Sequence, residues 1–426
     1  MSTSQKRIRP MPLFDTYEAF LLGSAAEYAA DRPAIVEYIE QFEPAISARA
    51  DYGHLRAFLK SYSGVKTTFS NYRTQVERLV LWSWIKAGKS VTALRRSDVE
   101  AYMDFASKPD NDWVGTETAA RFVKRGDIFE PNERWHPFTS KVNKTSRKMA
   151  EEDLIDLPDA RFKLSQGSVG QVFAICSSFF EFLVQEDVVP GNAFKSVKQK
   201  TRWSQRTLKV DSGKSLSHLQ WDYVVSAAET LALENPVKHE RSLFIVITLK
   251  AMYLRISDMV GNAYWTPTMG SFTCDHDGNW WYEAIGKGNV QASVAVKPDY
   301  LSYLTRYRRS RGLSDLPFSG EDTPLLTKLD GRPGLTDRHV RAIVQEVFDA
   351  ALVTMKKEGR PEGELSKLRT VTLHWLRHTG ATHDAPFRER KHLQADLRHK
   401  SYATTDIYYD TDDAERAAGV AKLKIR

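Results

Sequence analysis

The stretch HWLRHTGATH, residues 374–383, brings three histidines and one arginine together within ten positions. His374 and His378 are four residues apart, so on a helix they share one face, as helical zinc ligands do. A helical zinc-protease motif needs glutamate at the next position, but Trp375 stands there and no cysteine lies nearby. We therefore predict no metal site and interpret His378 as a packed core histidine. His374 and Arg377 also share a face, and a guanidinium beside an imidazole suits a phosphate group.

Three further stretches carry residues that could act on a phosphate. The sequence LKAMYLRISDMVG presents Arg255 at the end of an apolar run, with Asp258 one helical turn later. In AIGKGNV, Lys287 stands at a turn between glycines, and the remaining residues of a P-loop are absent. In LRHKSYATTDIYYD, His399 is followed nine residues later by Tyr408. Each stretch alone is weak evidence, because surface arginines and solvated lysine turns are common.

Together, in this order and spacing, the four motifs resemble those of the tyrosine recombinases, the phage-integrase family. The most specific matches are HWLRHTGAT and LRHKSYATTDIYY, and the resemblance covers residues 216–410 firmly. It extends more loosely over 55–200, where this family has a helical core-binding domain. The sequence departs from the family at Arg398, which replaces the usual glycine of L-G-H, and after Lys287, where basic residues are usual.

The resemblance implies a chemical role for each matched residue. Tyr408 would attack a DNA phosphodiester and leave a 3′-phosphotyrosyl bond with a free 5′-hydroxyl. Arg255 and Arg377 would bind the non-bridging oxygens, where charge accumulates in the transition state. Lys287 would protonate the leaving 5′-oxygen. Because the covalent link conserves the bond energy, the resemblance implies no cofactor and no metal.

The other matched residues would assist this reaction. His374 would move a proton at Tyr408 or bond the phosphate, His399 would bond the phosphate, and Asp258 would orient neighbouring basic groups. Tyr409 is adjacent to the implied nucleophile, and neighbouring residues on a helix point about 100° apart, so one phenol alone can face the phosphate. The family spacing from His399 selects Tyr408, which leaves packing or a hydrogen bond as the role of Tyr409.

Composition narrows the class of protein. The 426 residues are 42% hydrophobic, which is enough to bury real cores and suggests two or three domains. Two cysteines cannot build a disulfide framework, so a reducing cytosol is the expected compartment. No signal peptide and no apolar run long enough for a membrane span is visible, which predicts a soluble cytoplasmic protein. The net charge of +7 favours nucleic acid as a partner.

A basic segment divides the sequence. Residues 195–214 carry seven Lys or Arg against one Asp, with almost no apolar pattern. The segment is either a solvated connector or a length of chain that lies against DNA phosphates. Its candidate DNA contacts are Lys198, Lys200, Arg202 and Arg206.

We predict a mainly α fold with a small antiparallel β-sheet, in which a helical core-binding domain precedes a tyrosine-recombinase catalytic domain. The predicted segments are an N-terminal region (1–50), the helical domain (51–195) with an insertion (about 107–165), a basic linker (196–215) and the catalytic domain with its C-terminal tail (216–426). The sequence SHLQ, residues 217–220, predicts a capping box at the start of a helix. Asp277 and Gly278 predict a β-hairpin.

The favoured function is site-specific recombination of double-stranded DNA, of the integrase or transposon type, with the protein on the nucleoid when bound. We expect a homo-oligomer, a dimer on one site and a tetramer in synapsis, or a hetero-oligomer with related recombinases. The C-terminal tail is expected to dock on a neighbouring subunit. Two alternatives stay open. A type IB topoisomerase shares the chemistry but relaxes one duplex as a monomer, and a DNA-binding regulator would have lost catalysis.

Overall fold

The computed structural model describes residues 8–22, 24–44, 46–140, 162, 164–203, 214–262, 265–286, 291–409, 420–421 and 423. The chain forms two compact units, Met1–Val210 and Asp211–Arg426, and the division falls inside the segment predicted as a linker. Helices dominate both units, and the sheets are small. The predicted fold class, mainly α with a small antiparallel β-sheet, is confirmed.

The first unit is a helical core with two short β-pairs. Its described α-helices are α1 (Tyr17–Leu21), α2 (Ala25–Ala30), α3 (Pro33–Glu40), α4 (Ala48–Ser61), α5 (Lys66–Trp82), α6 (Arg96–Ser107) and α7 (Gln166–Gln185). Its described strands are β1 (Val114–Gly115), β2 (Phe122–Arg125), β3 (Ile128–Pro131) and β4 (Phe138–Thr139). A π-helical turn, Ser83–Ala87, continues α5. Short 3₁₀ turns lie at Val91–Ala93, Asn111–Trp113 and Lys200–Trp203.

One hydrophobic core joins the N-terminal residues to these helices. Leu13 and Phe14 are fully buried in the same cluster as Phe58 of α4 and Phe179 of α7. The ring of Phe14 also stacks on Tyr52 of α4, with centroids 5.0 Å apart. The sequence predicts a separate N-terminal region over residues 1–50, whereas in the structure Leu13 and Phe14 belong to the core of the first unit. The reason is energetic, since burying one such ring is worth about 1.5–3 kcal/mol.

The described part of the predicted insertion packs on this same core. Trp113 and Phe138 are buried within the cluster. Strand β1 pairs in parallel with β4, and β2 and β3 form an antiparallel hairpin. Residues 141–161, which the prediction also assigned to the insertion, lie outside the described residues.

Helix α7 is long and apolar enough to cross a membrane, with a mean hydropathy of 1.5. Its buried side chains, however, belong to the hydrophobic core of the first unit, as is typical of a core helix in a soluble protein. Cys176 lies on its buried face, and burial raises the pKa of the thiol. This cysteine is therefore an inert core residue.

The second unit is built around one buried helix. Its described α-helices are α8 (His218–Glu234), α9 (Pro236–Ala251), α10 (Ile256–Val260), α11 (Tyr300–Ser310), α12 (Asp337–Lys357), α13 (Glu362–Thr370), α14 (Leu373–Asp384), α15 (Arg390–Leu397) and α16 (Tyr402–Asp406). Its described strands are β5 (Phe272–Cys274), β6 (Trp280–Ile285) and β7 (Gln291–Ala295), which form one antiparallel sheet in sequence order. Short 3₁₀ turns are Met269–Ser271 and Ala385–Phe387.

Two local motifs of this unit follow directly from the sequence. The predicted capping box opens α8, where Ser217 Oγ accepts from the Gln220 amide at 3.2 Å and the Gln220 side chain accepts from the Ser217 amide at 2.9 Å. The predicted hairpin joins β5 to β6, with Gly278 at a φ of 85°. Asp275 closes that turn by accepting from the Asp277 amide at 3.0 Å. Both predictions are confirmed.

Helix α9 is buried because α8, α11, α12 and α14 pack around it. After α9 the chain turns at Tyr253, whose φ of 53° is left-handed, and this turn carries Arg255 to the start of α10. Gly380 of α14 faces the end of α9, where a Cβ would overlap the carbonyl oxygen of Lys250. The missing side chain lets α14 approach closely enough for its Arg377 to reach the turn.

Candidate active site

Arg377 lies at the centre of the candidate site. Its guanidinium is buried, with Nη1 donating to the carbonyl oxygen of Tyr253 at 2.5 Å and Nη2 donating to that of Leu397. These bonds tie the turn before α10 to the end of α15. Burial, followed by the charges of Arg255 and Arg398, lowers the pKa of Arg377 to about 9. The guanidinium is therefore rigidly held among other cations.

His399 contacts this guanidinium directly. Its Nε2 lies 3.2 Å from Nη2 of Arg377, and its Nδ1 lies 3.0 Å from Oγ1 of Thr405 in α16. Since a guanidinium only donates, Nε2 must accept, and we assign the ring proton to Nδ1. Burial, followed by the charges of Arg377 and Arg255, lowers the pKa of His399 to about 4. A bound phosphate would oppose that effect, because a nearby anion favours the protonated ring.

Tyr408 follows α16 and is buried against Tyr253 and other residues of a small apolar cluster, with 8% of its surface exposed. Its hydroxyl lies 2.7 Å from Nδ1 of His378 on α14. Burial raises the pKa of Tyr408, while the charges of Arg377 and Arg255 lower it. The phenol is thus protonated at rest but lies beside cations that would stabilise a phenolate.

His378 has a role that the sequence analysis missed. Burial, followed by the proximity of His374 and Arg377, lowers the pKa of His378 to about 4. The ring is neutral near pH 7, and with its proton on Nε2 its Nδ1 accepts from the Tyr408 hydroxyl. His378 is therefore more than a packed core histidine. In the sequence, the spacing of four residues from His374 could have indicated this role, because it places both histidines on the same helical face.

Arg255 and Asp258 hold the start of α10. The Arg255 amide donates to Oδ2 of the buried Asp258 carboxylate at 2.6 Å, and Tyr282 of β6 donates to the Asp258 carbonyl oxygen at 2.6 Å. The same carboxylate forms an ion pair with Arg398. Within the described part of the chain, the half-buried guanidinium of Arg255 has no hydrogen-bond partner. It is therefore available to a ligand.

His374 lies at the exposed edge of the site on α14. Its ring packs edge to face on His378, with centroids 4.7 Å apart. Partial desolvation, followed by the charges of Arg377 and Arg255, lowers the pKa of His374. Of the two histidines, His378 contacts the Tyr408 hydroxyl and His374 does not.

The two adjacent tyrosines hydrogen bond to different groups. The Tyr408 hydroxyl meets His378, whereas the Tyr409 hydroxyl donates to the carbonyl oxygen of Arg388 at 2.8 Å. Tyr409 is partly buried against the same small cluster. The phenol that lies beside Arg377 is therefore that of Tyr408.

Arg398 is a second residue of the site for which the sequence predicted no role. It was identified only as a departure from the family pattern, which has glycine at this position. Its φ of 55° is left-handed, as the usual glycine would allow, and its guanidinium reaches Asp258. The position keeps a glycine-like backbone and adds a third guanidinium near Arg255 and Arg377. In the sequence, the replacement of the usual glycine by arginine was the feature that could have indicated this role.

The charges of this site favour an anion. The guanidinium groups of Arg255, Arg377 and Arg398 lie near the carboxylate of Asp258. Among the described residues, no group of three or more His, Cys, Asp or Glu could hold a metal ion. An excess of positive charge beside a phenol suits a phosphodiester.

The remaining predicted residues are not placed in this site. Lys287, predicted to protonate the leaving oxygen, and Arg206 lie outside the described residues, as does the side chain of Lys200. Lys198 is exposed. Arg202 is exposed in the first unit, where its Nη2 lies 2.9 Å from a carboxylate of α6. The roles of these five residues stay predictions.

The sequence matches no family model and no curated protein. The structure is nevertheless similar to solved DNA recombinases. A XerH site-specific recombinase bound to a palindromic difH substrate matches with a TM-score of 0.53 at 13% identity, over 98% of this chain and 100% of that chain. A Tn1549 transposon integrase in complex with a circular intermediate DNA matches with a TM-score of 0.50 at 15% identity, over 87% and 98%. The chain therefore has the tyrosine-recombinase fold.

Proposed function

We propose that this protein is a site-specific DNA recombinase that cuts and rejoins double-stranded DNA through a 3′-phosphotyrosyl intermediate. The observation that carries the proposal is the convergence of Tyr408, Arg377, Arg255 and His399 at one cationic site. These residues come from different elements of the second unit. Burying cations near one another costs free energy, so such an arrangement points to an anionic ligand.

The scissile phosphate would bind between Arg255 and Arg377. Their positive charges would offset the negative charge that develops on the non-bridging oxygens. Arg377 is held by two backbone carbonyls, so its position is set before DNA arrives. His399, whose pKa would rise beside the anion, would then carry a proton on Nε2 and donate it to the phosphate instead of accepting from Arg377.

The attacking group would be Oη of Tyr408. As it forms a bond to phosphorus, its proton passes to Nδ1 of His378, which lies 2.7 Å away. The bond from phosphorus to the 5′-oxygen breaks, and that oxygen takes a proton, for which Lys287 is the proposed donor. In the second step a 5′-hydroxyl attacks the phosphotyrosyl bond and releases Tyr408. Each step exchanges one phosphate ester bond for another, so no nucleotide is hydrolysed.

The proposed partner is a double-stranded DNA recombination site. The XerH and Tn1549 structures were both solved with DNA, which supports this partner and supports recombination over the relaxation of one duplex by a type IB topoisomerase. We further propose action in the cytoplasm as a dimer on each site and a tetramer in synapsis, or together with related recombinases. The candidate contacts of the linker, Lys198, Lys200, Arg202 and Arg206, would add non-specific affinity for the DNA backbone.

Covalent adduct formation tests the proposal. The full chain is incubated with sheared genomic DNA that flanks its gene, and covalent complexes are recovered in detergent and sequenced. A nicked duplex of the recovered site then traps the intermediate. Wild type and Tyr409→Phe should form the adduct. Tyr408→Phe should bind the duplex without forming it, because phenylalanine keeps the ring and lacks the attacking oxygen.

Mass spectrometry of the digested complex should place the bond on Tyr408. An adduct on Tyr409, or one formed by Tyr408→Phe, contradicts the assigned nucleophile. DNA binding by wild type without any adduct contradicts the proposed function and indicates the non-catalytic regulator. Relaxation of supercoils by the monomer, without exchange between duplexes, indicates the topoisomerase.

A further inference from the structure

Arg398 occupies a backbone position that favours glycine. It caps the C-terminus of α15, where its amide donates to the carbonyl oxygen of Ala395 at 2.9 Å and its φ is 55°. The Cβ of an L-residue crowds the backbone in this left-handed conformation, so glycine adopts it at lower cost. The arginine side chain must therefore contribute something that offsets the strain.

Among the described residues, the guanidinium of Arg398 has one partner. Its side chain is 10% exposed and forms an ion pair with Asp258, whose side chain is 2% exposed. Its Nε and Nη1 atoms have no hydrogen-bond partner among the residues that the structure describes. The contact with Asp258 therefore accounts for the position of the guanidinium.

Asp258 connects this ion pair to Arg255. The carboxylate that pairs with Arg398 also accepts from the Arg255 amide at 2.6 Å. Tyr282 of β6 fixes the backbone of Asp258 from the other side. The orientation of the carboxylate thus determines where the chain presents Arg255.

The charge of Asp258 matters as well as its position. An unpaired carboxylate buried beside Arg255 would attract that guanidinium and compete with a DNA phosphate for it. With Arg398 as the partner of Asp258, the Arg255 guanidinium keeps its donors free. The ion pair would therefore serve Arg255 in two ways, by fixing its backbone and by neutralising the Asp258 carboxylate that interacts with it.

We propose that Arg398 is a positioning residue of the catalytic centre, which acts through Asp258 to hold Arg255 in place for the scissile phosphate. The inference rests on the proposed function, and it adds a residue where the family pattern has glycine. It assigns Arg398 no contact with DNA. The path runs from the Arg398 guanidinium to the Asp258 carboxylate and from there to the Arg255 amide.

A double-mutant cycle on the cleavage rate tests this path. Arg398→Gly should slow single-turnover cleavage of the nicked duplex about 10- to 100-fold, the range expected when a catalytic group is displaced by about 1 Å. DNA affinity should change less than the rate. In the Asp258→Asn background, Arg398→Gly should cause no further slowing, because residues on one path are not additive. Arg398→Lys keeps the charge and should restore part of the rate.

Two control variants separate positioning from general destabilisation. Asp187→Gly relieves the same left-handed strain, at a φ of 55°, in the first unit. Arg308→Met breaks a buried ion pair with Glu321, whose charged atoms are 3.0 Å apart, on a different helix of the second unit. Circular dichroism establishes that each variant is folded. Both should cleave at the wild-type rate.

The outcomes distinguish this inference from the proposed function. Wild-type cleavage by Arg398→Gly, additive slowing in the double variant, or a loss confined to DNA affinity each overturns the positioning role. If wild type forms no adduct, the proposed function fails instead. Hydrogen exchange at the Arg255 amide then tests the path without activity. Its protection should fall in Arg398→Gly, and unchanged protection overturns the inference.

Discussion

Replacing Gly380 with alanine tests how closely α14 must approach α9. In an ordinary helix interior this substitution is stabilising by about 1 kcal/mol, because alanine has the higher helix propensity. Here the added Cβ would overlap the carbonyl oxygen of Lys250 and lie 3.0 Å from Cδ1 of Tyr253. The sign of the effect therefore reports whether the helices are in contact at this point.

The expected magnitude follows from these contacts. Heavy atoms in van der Waals contact lie about 3.5–4.0 Å apart, and the overlap with the Lys250 oxygen is deeper than the approach to Tyr253, so α14 must move outward by about 1 Å or more. Overpacking of this kind costs about 1–3 kcal/mol of unfolding free energy. We expect a cost near the upper value, because the overlapping atom belongs to the backbone and cannot rotate away. After the propensity gain, the second unit should lose about 2 kcal/mol, which lowers its melting temperature by about 4–8 °C. The same movement displaces Arg377 from Tyr253 and should slow cleavage about 100-fold.

Calorimetry and single-turnover cleavage measure the two effects. The matched control is Gly170→Ala on α7, where a Cβ would meet no atom within 4 Å. This control should raise the melting temperature of the first unit and leave cleavage unchanged. If Gly380→Ala is as stable as wild type or more stable, the close packing of α14 on α9 is refuted.

Three further predictions concern charge. Arg377→Lys should bind DNA within about tenfold of wild type in filter binding but cleave about 100-fold more slowly, because an ammonium cannot reproduce the planar fork; equal cleavage would refute its role. His383 and His399 have pKa values of about 4 in the fold, below their ordinary value of 6.5. The unfolded chain therefore binds more protons, and the melting temperature of the second unit should fall between about pH 6.5 and pH 4, less so in His383→Gln; no pH dependence would contradict this. Changing Lys198, Lys200, Arg202 and Arg206 together to glutamine should reduce the salt dependence of binding by about 0.9 in the log–log slope per lost phosphate contact; an unchanged slope would show that the linker does not touch DNA.

Local features of the fold could be predicted because their causes are local. The capping box at Ser217 and the hairpin turn at Gly278 depend on residues a few positions apart. The buried helix α9 contains the apolar run LFIVI, residues 243–247. The family motifs likewise identified Arg255, Arg377 and Tyr408 as one group, since their order and spacing are readable without coordinates.

The organisation of the first unit depended on tertiary packing. Leu13 and Phe14 lie in residues 1–50, for which the sequence predicts a separate N-terminal region. In the structure they are buried in the same core as Phe58 and Phe179, residues far along the chain. Which apolar residues share a core is decided by the shape of the assembled helices, and hydrophobic burial is not directional.

By itself, the sequence determined the fold class. It also predicted a division at the basic linker and a candidate nucleophile, Tyr408. The tertiary structure alone decided the partners of these residues. That His378 receives the Tyr408 hydrogen bond, and that Arg398 pairs with Asp258, depends on distances between segments 30 and 140 residues apart. Protonation states follow from the same distances and from burial, because desolvation and neighbouring charges set each pKa. The amino-acid sequence alone gives neither the distances between distant segments nor the burial of a side chain.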